Sequence, residues 1–255
     1  MAADDVTTWI NSRLVSPHNN IQFETCLHFA CLNGNVKIMR LLLAKGADVT
    51  ALDFESCTPL HRACASHVDA DAKVECLLRR GAASQVNARD DLGQTALHKA
   101  ARRGRTQSVK LLLQHGALVD VKCNHGATAL HCACASGDVA CLHELVKHGA
   151  DLEVRLNRWE LTPLQLAAQW VHVDCMRVLL NYGADINATA LRNRTALTQA
   201  VIWSDVKVIA TLLAYAHCDV TIKDAFGRRA IDVARSREVK TLLMLGRNFE
   251  SSRQA

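Results

Sequence analysis

The chain has 255 residues, of which 49% are hydrophobic and 22% charged, and its formal net charge is +5. That balance is ordinary for a globular protein of one large or two small domains. It argues against a membrane protein, since no stretch approaches the ~20 apolar residues that a crossing needs, and the charge excess is too modest to make nucleic acid the expected partner. Aromatics make up 4% and proline occurs three times, so the core must be built from small and aliphatic side chains, as in helical architectures.

The opening stretch, "MAADDVTTWINSRL", lacks the basic start and apolar region of a secretory signal, so a cytoplasmic or nuclear location, or both, is expected. Trp9 and Ile10 fall where a second helix would place its paired leucines, and residues 1–20 read as a helical cap with Trp9 in the core. Eleven cysteines are an odd number in a chain that is not small, and many sit in apolar helical pattern. Buried reduced thiols are expected rather than disulfides. Two glycosylation sequons, at Asn187 and Asn193, are idle without a secretory route.

From Thr25 onward a motif recurs: "TCLH" at Thr25, "TPLH" at Thr58, "TALH" at Thr95 and Thr128, "TPLQ" at Thr162 and "TALT" at Thr195, with "RAID" at Arg229 in the next register. The spacings are 33, 37, 33, 34, 33 and 34 residues, a period that marks stacked supersecondary units, none able to bury its apolar face alone. Within each unit the motif opens a helix, a short turn follows, and a second helix such as "VKIMRLLLAKG" runs to a glycine. Gly46, Gly81, Gly116, Gly149 and Gly183 stand where a left-handed cap should end that helix. Polar, turn-like segments such as "GADVTALD" lead back to the next threonine.

This pattern resembles the ankyrin repeat, whose signature GxTPLHxAxxxGxxxxVxxLLxxGADVNAxD is matched almost verbatim from Gly93 to Lys122. The resemblance implies an all-α solenoid of helix-turn-helix units with hairpin loops, six full repeats and partial caps at both ends. The repeat domain covers residues 21–245, and 246–255 form a polar tail. The Cys-rich forms "LHFAC", "LHRAC" and "LHCAC" are also similar to the ankyrin part of the suppressor-of-cytokine-signalling-box adaptors, although the tail "GRNFESSRQA" contains no such box.

Departures from the pattern stand out. Repeat 2 carries extra residues around "SHVDADAKV", where His67, Asp69 and Asp71 read as a solvated turn with an Asp capping the next helix rather than as a metal site. In repeats 5, 6 and 7 the motif His becomes Gln165, Thr198 and Asp232, and the glycine closing the first helix becomes Val171 and Ser204 in repeats 5 and 6. Functional lapses from scaffold rules are expected there.

No catalytic or cofactor chemistry is expected. "HELVKH" spaces His143 and His148 five apart, on different helix faces, whereas a zinc pair needs i and i+4. The pairs His28/Cys31, His61/Cys64 and His131/Cys134 recur once per repeat, with stacked helices ~8–10 Å apart, too far to share one tetrahedral metal. In the resembled family such a His hydrogen-bonds locally at the helix start. No phosphate-binding glycine loop or nucleophile elbow occurs.

What remains is binding. A solenoid presents an extended concave surface, which in ankyrin proteins is formed by hairpin tips and first helices, at positions just before the motif threonine and seven and eight after it. Repeat 1 offers Gln22, Phe23 and Glu24 there. Repeats 5 and 6 offer Arg158, Trp159, Trp170, Arg192, Arg194 and Trp203, followed by Phe226. Trp and Arg dominate interface hot spots, so a protein partner is expected there, held by a monomer acting as an adaptor or scaffold. The alternatives are a substrate-recruiting adaptor of a ubiquitin ligase and a regulator of transcription factors. A second candidate is the basic cluster Arg102, Arg103 and Arg105. Finally, "LLNYGADIN" resembles the Leu-spaced site at which ankyrin loop asparagines are hydroxylated, which singles out Asn187.

Overall fold

The computed structural model describes residues 3–14 and 24–251. Gln22 and Phe23 lie outside them, as do residues 15–20 of the expected cap and 252–255 of the tail. Helices carry the architecture. An opening helix, α1 (Ala3–Asn11), is followed by helix pairs that each begin one residue after a motif threonine or, in the last, after Arg229. Contacts divide the chain into two compact units, Met1–Asn124 with Lys147–Ala150, and His125–Val146 with Asp151–Ala255.

The first unit holds α2 (Cys26–Leu32) with α3 (Val36–Ala44), α4 (Pro59–Ala65) with α5 (Ala70–Arg79), and α6 (Ala96–Arg102) with α7 (Thr106–Gln114). Within it α2, α4 and α6 stack in order, and α3, α5 and α7 form a second layer behind them. The other unit begins with α8 (Ala129–Ser136) and α9 (Val139–Lys147), whose last residue falls at the boundary. It continues with α10 (Pro163–Gln169), α11 (Val173–Asn181), α12 (Ala196–Trp203), α13 (Val206–Leu213), α14 (Ala230–Val233) and α15 (Arg237–Ser251). Here α8, α10, α12 and α14 stack, with α11, α13 and α15 behind.

Why the motif opens a helix is visible atom by atom. Thr58 stands at the N-cap with extended backbone, its hydroxyl accepting from the His61 N–H, while its own N–H donates to His61 Nδ1 at 3.1 Å. Two orphan donors of the helix start are thus satisfied reciprocally. The ring's other nitrogen, Nε2, donates to the Gln94 carbonyl one repeat on at 3.1 Å, so the same side chain caps its own helix and pins the next repeat. His28 repeats the arrangement onto the Cys57 carbonyl at 2.9 Å and His131 onto that of Leu161 at 3.3 Å. The motif leucines Leu27, Leu60, Leu97, Leu130, Leu164 and Leu197 are at most 2% exposed, and each such burial stabilises by roughly 1.5–3 kcal/mol.

The hairpins are linked through their backbones. Asp91 N–H donates to the Glu55 carbonyl at 3.0 Å, Leu191 to that of Trp159 at 3.2 Å, and Ala225 to that of Arg192 at 2.9 Å. Farther back, asparagine amides bridge successive loops: Asn87 Nδ2 donates to the Gly116 carbonyl at 3.0 Å and its Oδ1 accepts from the Leu118 N–H at 2.8 Å. Glycine ends the second helices as expected, with Gly116 and Gly183 at φ of 85° and 92°.

Two expectations are revised. Trp9 is 62% exposed, and it is its neighbour Ile10, at 4%, that enters the core. Asp69 does occupy the N-cap of α5, but its side chain makes no capping bond. Asp71 instead accepts from Ser108, through the backbone N–H at 2.9 Å and the hydroxyl at 2.5 Å, tying α5 to α7. Within the all-α fold a two-residue antiparallel pair, Arg13–Leu14 with Glu24–Thr25, is a minor addition, and α15 runs to Ser251.

Candidate functional site

In repeats 2 and 3 the hairpin is tied down to the first helix by an ion pair. Asp53 and Asp90, five residues before the motif threonine, accept backbone N–H groups across the hairpin: Asp90 Oδ1 takes those of Leu92 at 3.0 Å and Gln94 at 2.7 Å. Their second oxygens meet cations four residues after the threonine, with Arg62 Nε 2.6 Å from Asp53 and Lys99 Nζ 2.7 Å from Asp90. Burial works to raise the Asp90 carboxyl, but the Lys99 hydrogen bond and the Gln94 N–H outweigh it and hold the group below the usual carboxylate range.

Repeats 5 and 6 lack this pair. The corresponding residues are Asn157 with Leu166, and Ala190 with Gln199. The hairpin of repeat 5 also differs in backbone: Leu156 N–H reaches the Leu161 carbonyl at 3.1 Å, enclosing one residue more than in repeat 2, where Asp53 N–H reaches that of Cys57 at 3.0 Å, or in repeat 6, where Ala190 N–H reaches that of Arg194 at 2.8 Å. Glu160, Arg192 and Asn193 stand at φ of 54°, 64° and 54°, left-handed values that cost a non-glycine residue roughly 1–2 kcal/mol.

Repeat 4, with Cys123 and Cys132 at these positions, lacks the pair as well, and a cleft of about 360 Å³ opens between the two hairpins and the two first helices of repeats 5 and 6. Trp159 and Trp203 line it, each 51% exposed, with Leu161, Leu191 and Ile202 as further apolar wall. Its polar lining is Gln169, Arg192, Arg194 and Gln199. Arg194 Nε and Gln199 Oε1 are shielded from solvent and have no hydrogen-bond partner.

Not every expected residue joins this site. Arg158 stacks over the Trp159 ring at 4.9 Å, extending that side of the cleft. Phe226 is 60% exposed and is covered by Arg228 and Arg192 at 4.8 and 5.9 Å, so Arg192 links it to the cleft. Trp170 is 58% exposed but does not line the cleft. It caps α10, and the next residue, Val171, takes the left-handed conformation at φ 59° in place of a glycine. Arg102 and Arg103 are exposed on the first unit, whereas Arg105 turns inward to the Ser66 carbonyl at 3.0 Å. Asn187 is half-buried, its Nδ2 on the His217 carbonyl at 2.7 Å and its Oδ1 accepting from the Asp219 N–H at 2.8 Å. It therefore bridges loops as Asn87 does.

Gln199 went unnoticed in the sequence because the free positions were taken as those before the motif and those seven and eight beyond it. The signal available was the column four after the threonine, which reads Arg62, Lys99, Cys132, Leu166 and Gln199 and exchanges cations for uncharged side chains.

The lost histidines are less of a departure than their identities suggest. Gln165 Oε1 accepts from the Thr162 N–H at 3.0 Å, and its Nε2 donates to the Arg194 carbonyl at 3.1 Å and to that of Ala188 at 2.8 Å. An amide thus performs both tasks of the imidazole and fixes the backbone beneath Arg194. All eleven cysteines are free thiols, with Cys26 and Cys76 half-buried and the others buried. Burial pushes Cys57 up to about 12 and Cys175 to about 11. Among the described residues no group of three or more His, Cys, Asp or Glu side chains is placed to hold a metal ion, and no helix is long and apolar enough to cross a membrane.

Stacked helix pairs joined by backbone-linked hairpins, with variable side chains on the hairpins and first helices, define the ankyrin-repeat class of protein-interaction modules. The family model described as "Ankyrin repeats" matches residues 4–90, 69–155 and 152–224, and the chain belongs to that family. Among its relatives is the B-cell lymphoma 3 protein homolog of Mus musculus, 31% identical over 89% of this chain and 45% of the relative. The chain therefore spans less than half of that protein's length. Two solved structures are similar: the human ASB11 ankyrin repeat domain, at TM-score 0.78 and 28% identity over 88% of this chain and 98% of that one, and the ankyrin repeat domain of Bcl-3, described as a unique member of the IkappaB protein family, at TM-score 0.75 and 27% identity over 87% and 98%.

Proposed function

We propose that the chain is a non-catalytic adaptor that holds a protein partner on the hairpins and first helices of repeats 5 and 6, the face expected from the sequence to be concave. The single observation that carries this is the cleft lined by Trp159 and Trp203, two half-exposed indoles flanked by Arg192 and Arg194 where the scaffold's own ion pair is missing. Covering the exposed half of one indole, of order 100 Å² at about 25 cal/mol per Å², is worth about 2–3 kcal/mol. Trp and Arg are also the side chains most enriched where binding energy concentrates.

The test is affinity capture with mass spectrometry, comparing the wild type with Trp159→Ala, Trp170→Ala, Trp203→Ala and the triple variant. Loss of a partner on changing Trp159 or Trp203, with helical content unchanged, is expected. Identical captured proteins from a folded triple variant would remove the proposal. Recovery of cullin-type components would assign the ubiquitin-ligase alternative.

A further inference from the structure

The cleft carries information about what fills it. A purely apolar occupant would seal the Trp159 and Trp203 walls but strip water from the Arg192 and Arg194 guanidiniums that line the same cleft, leaving them without a counter-charge. Such orphaned groups oppose burial strongly, a charged one most of all. The lining includes two guanidiniums and no carboxylate, and Arg158 adds a third beside Trp159. In repeats 2 and 3 carboxylates meet the cation on the first helix; in repeat 6 Ala190 supplies none.

We propose that the occupant is an extended acidic segment of a partner protein, in which a bulky apolar side chain stands next to an aspartate or glutamate. This rests on the binding role proposed for repeats 5 and 6 and names its chemistry. The apolar side chain enters between Trp159 and Trp203 against Ile202. The neighbouring carboxylate accepts from the guanidiniums of Arg194 and Arg192 that line the cleft, a charge-assisted contact stronger than a neutral one. Three guanidiniums spread over two adjacent hairpins favour internal acidic side chains over a single chain-terminal carboxylate, which brings only one charge.

The test is selection from a library of short random peptides displayed on phage, using the whole chain and counter-selecting on the Trp159→Ala/Trp203→Ala variant. The expected consensus places an acidic residue within two positions of Leu, Ile, Phe or Trp. A synthetic peptide of that sequence should lose about tenfold or more in affinity when its acid is changed to the amide, and similarly against Arg194→Gln or Arg192→Gln, and it should weaken with added salt. Amidation of its C-terminus should have no effect.

A consensus without acidic residues, indifference to both the amide change and the arginine variants, or dependence on a free C-terminus would overturn the proposal. So would a library giving no enrichment over the counter-selected variant. The adaptor role is judged separately by the protein capture, so a captured partner lost from the Trp variants alongside a non-acidic consensus would sink the chemistry alone.

Discussion

His61 is buried and caps its helix as the neutral ring, accepting at Nδ1 and donating from Nε2. Burial, only partly offset by the hydrogen bond to the Gln94 carbonyl and by Asp90, depresses it from the ordinary 6.5 to about 4. Between those values the unfolded chain takes up a proton and the folded chain does not, so stability is full above 6.5 and falls as pH drops towards 4. The contribution of this one group across that window is about 3 kcal/mol. Because Gln165 performs the same two tasks in repeat 5, His61→Gln should stay within about 1 kcal/mol of wild type at neutral pH and flatten the acid side of the stability profile. Urea titrations at a series of pH values measure both.

Val171 is the complementary case. A β-branched side chain at φ 59° is strained, and Val171→Gly should stabilise by about 1 kcal/mol, visible as a rise of roughly 2–4 °C in thermal midpoint; an unchanged or lower midpoint would mean that the side chain's packing outweighs the strain. Thiol chemistry follows burial. Alkylation of the folded chain at neutral pH should label Cys26 and Cys76, with the buried thiols reacting only after denaturation, as peptide mapping would reveal.

At the scale of the element, hairpin and first helix are coupled in repeats 2 and 3 by a buried carboxylate and a cation, and uncoupled in repeats 5 and 6. Ala190→Asp alone should destabilise, because it buries an unpaired charge in repeat 6. Adding Gln199→Lys should restore stability by about 1–3 kcal/mol relative to the sum of the single changes, while occupying the cleft and weakening partner capture. A double-mutant cycle of thermal or urea midpoints tests the coupling; additivity of the two changes would show that the cleft does not arise from the missing pair.

Much of this element was legible in the sequence. Threonine N-caps, glycine stops and the period followed from local chemistry that repeats identically in each unit. Trp9 was misjudged because register alone does not tell which of two adjacent apolar residues faces inward at an end cap, and Ile10 took the core. The role of Asp71 was invisible because its partner, Ser108, lies in the next repeat.

For the molecule as a whole, the period identified the scaffold, and departures from the motif within repeats 5 and 6 pointed to the candidate site. Trp159, Arg192, Arg194 and Trp203 were placed together by counting from the motif, and they meet in one cleft. The same counting put Trp170 among them, yet it lies off the cleft that Trp203, at the equivalent position one repeat on, lines. Gln199 escaped because its importance comes from a missing partner, Ala190, rather than from its own identity. Scaffold stability is spread over many equivalent contacts, as in repeat proteins generally, whereas the proposed binding is concentrated in a few side chains the scaffold does not need. Changing those side chains should therefore cost affinity and leave folding intact.

The most direct measurement is tryptophan oxidation footprinting of the chain alone and in complex with its captured partner, read by peptide mass spectrometry. All four indoles are more than half exposed in the free chain and should oxidise there. In the complex Trp159 and Trp203 should be protected by about tenfold or more, as expected of side chains sealed at an interface centre, while Trp9 continues to react. Equal oxidation of Trp159 and Trp203 in the free and bound states would contradict a binding site in this cleft.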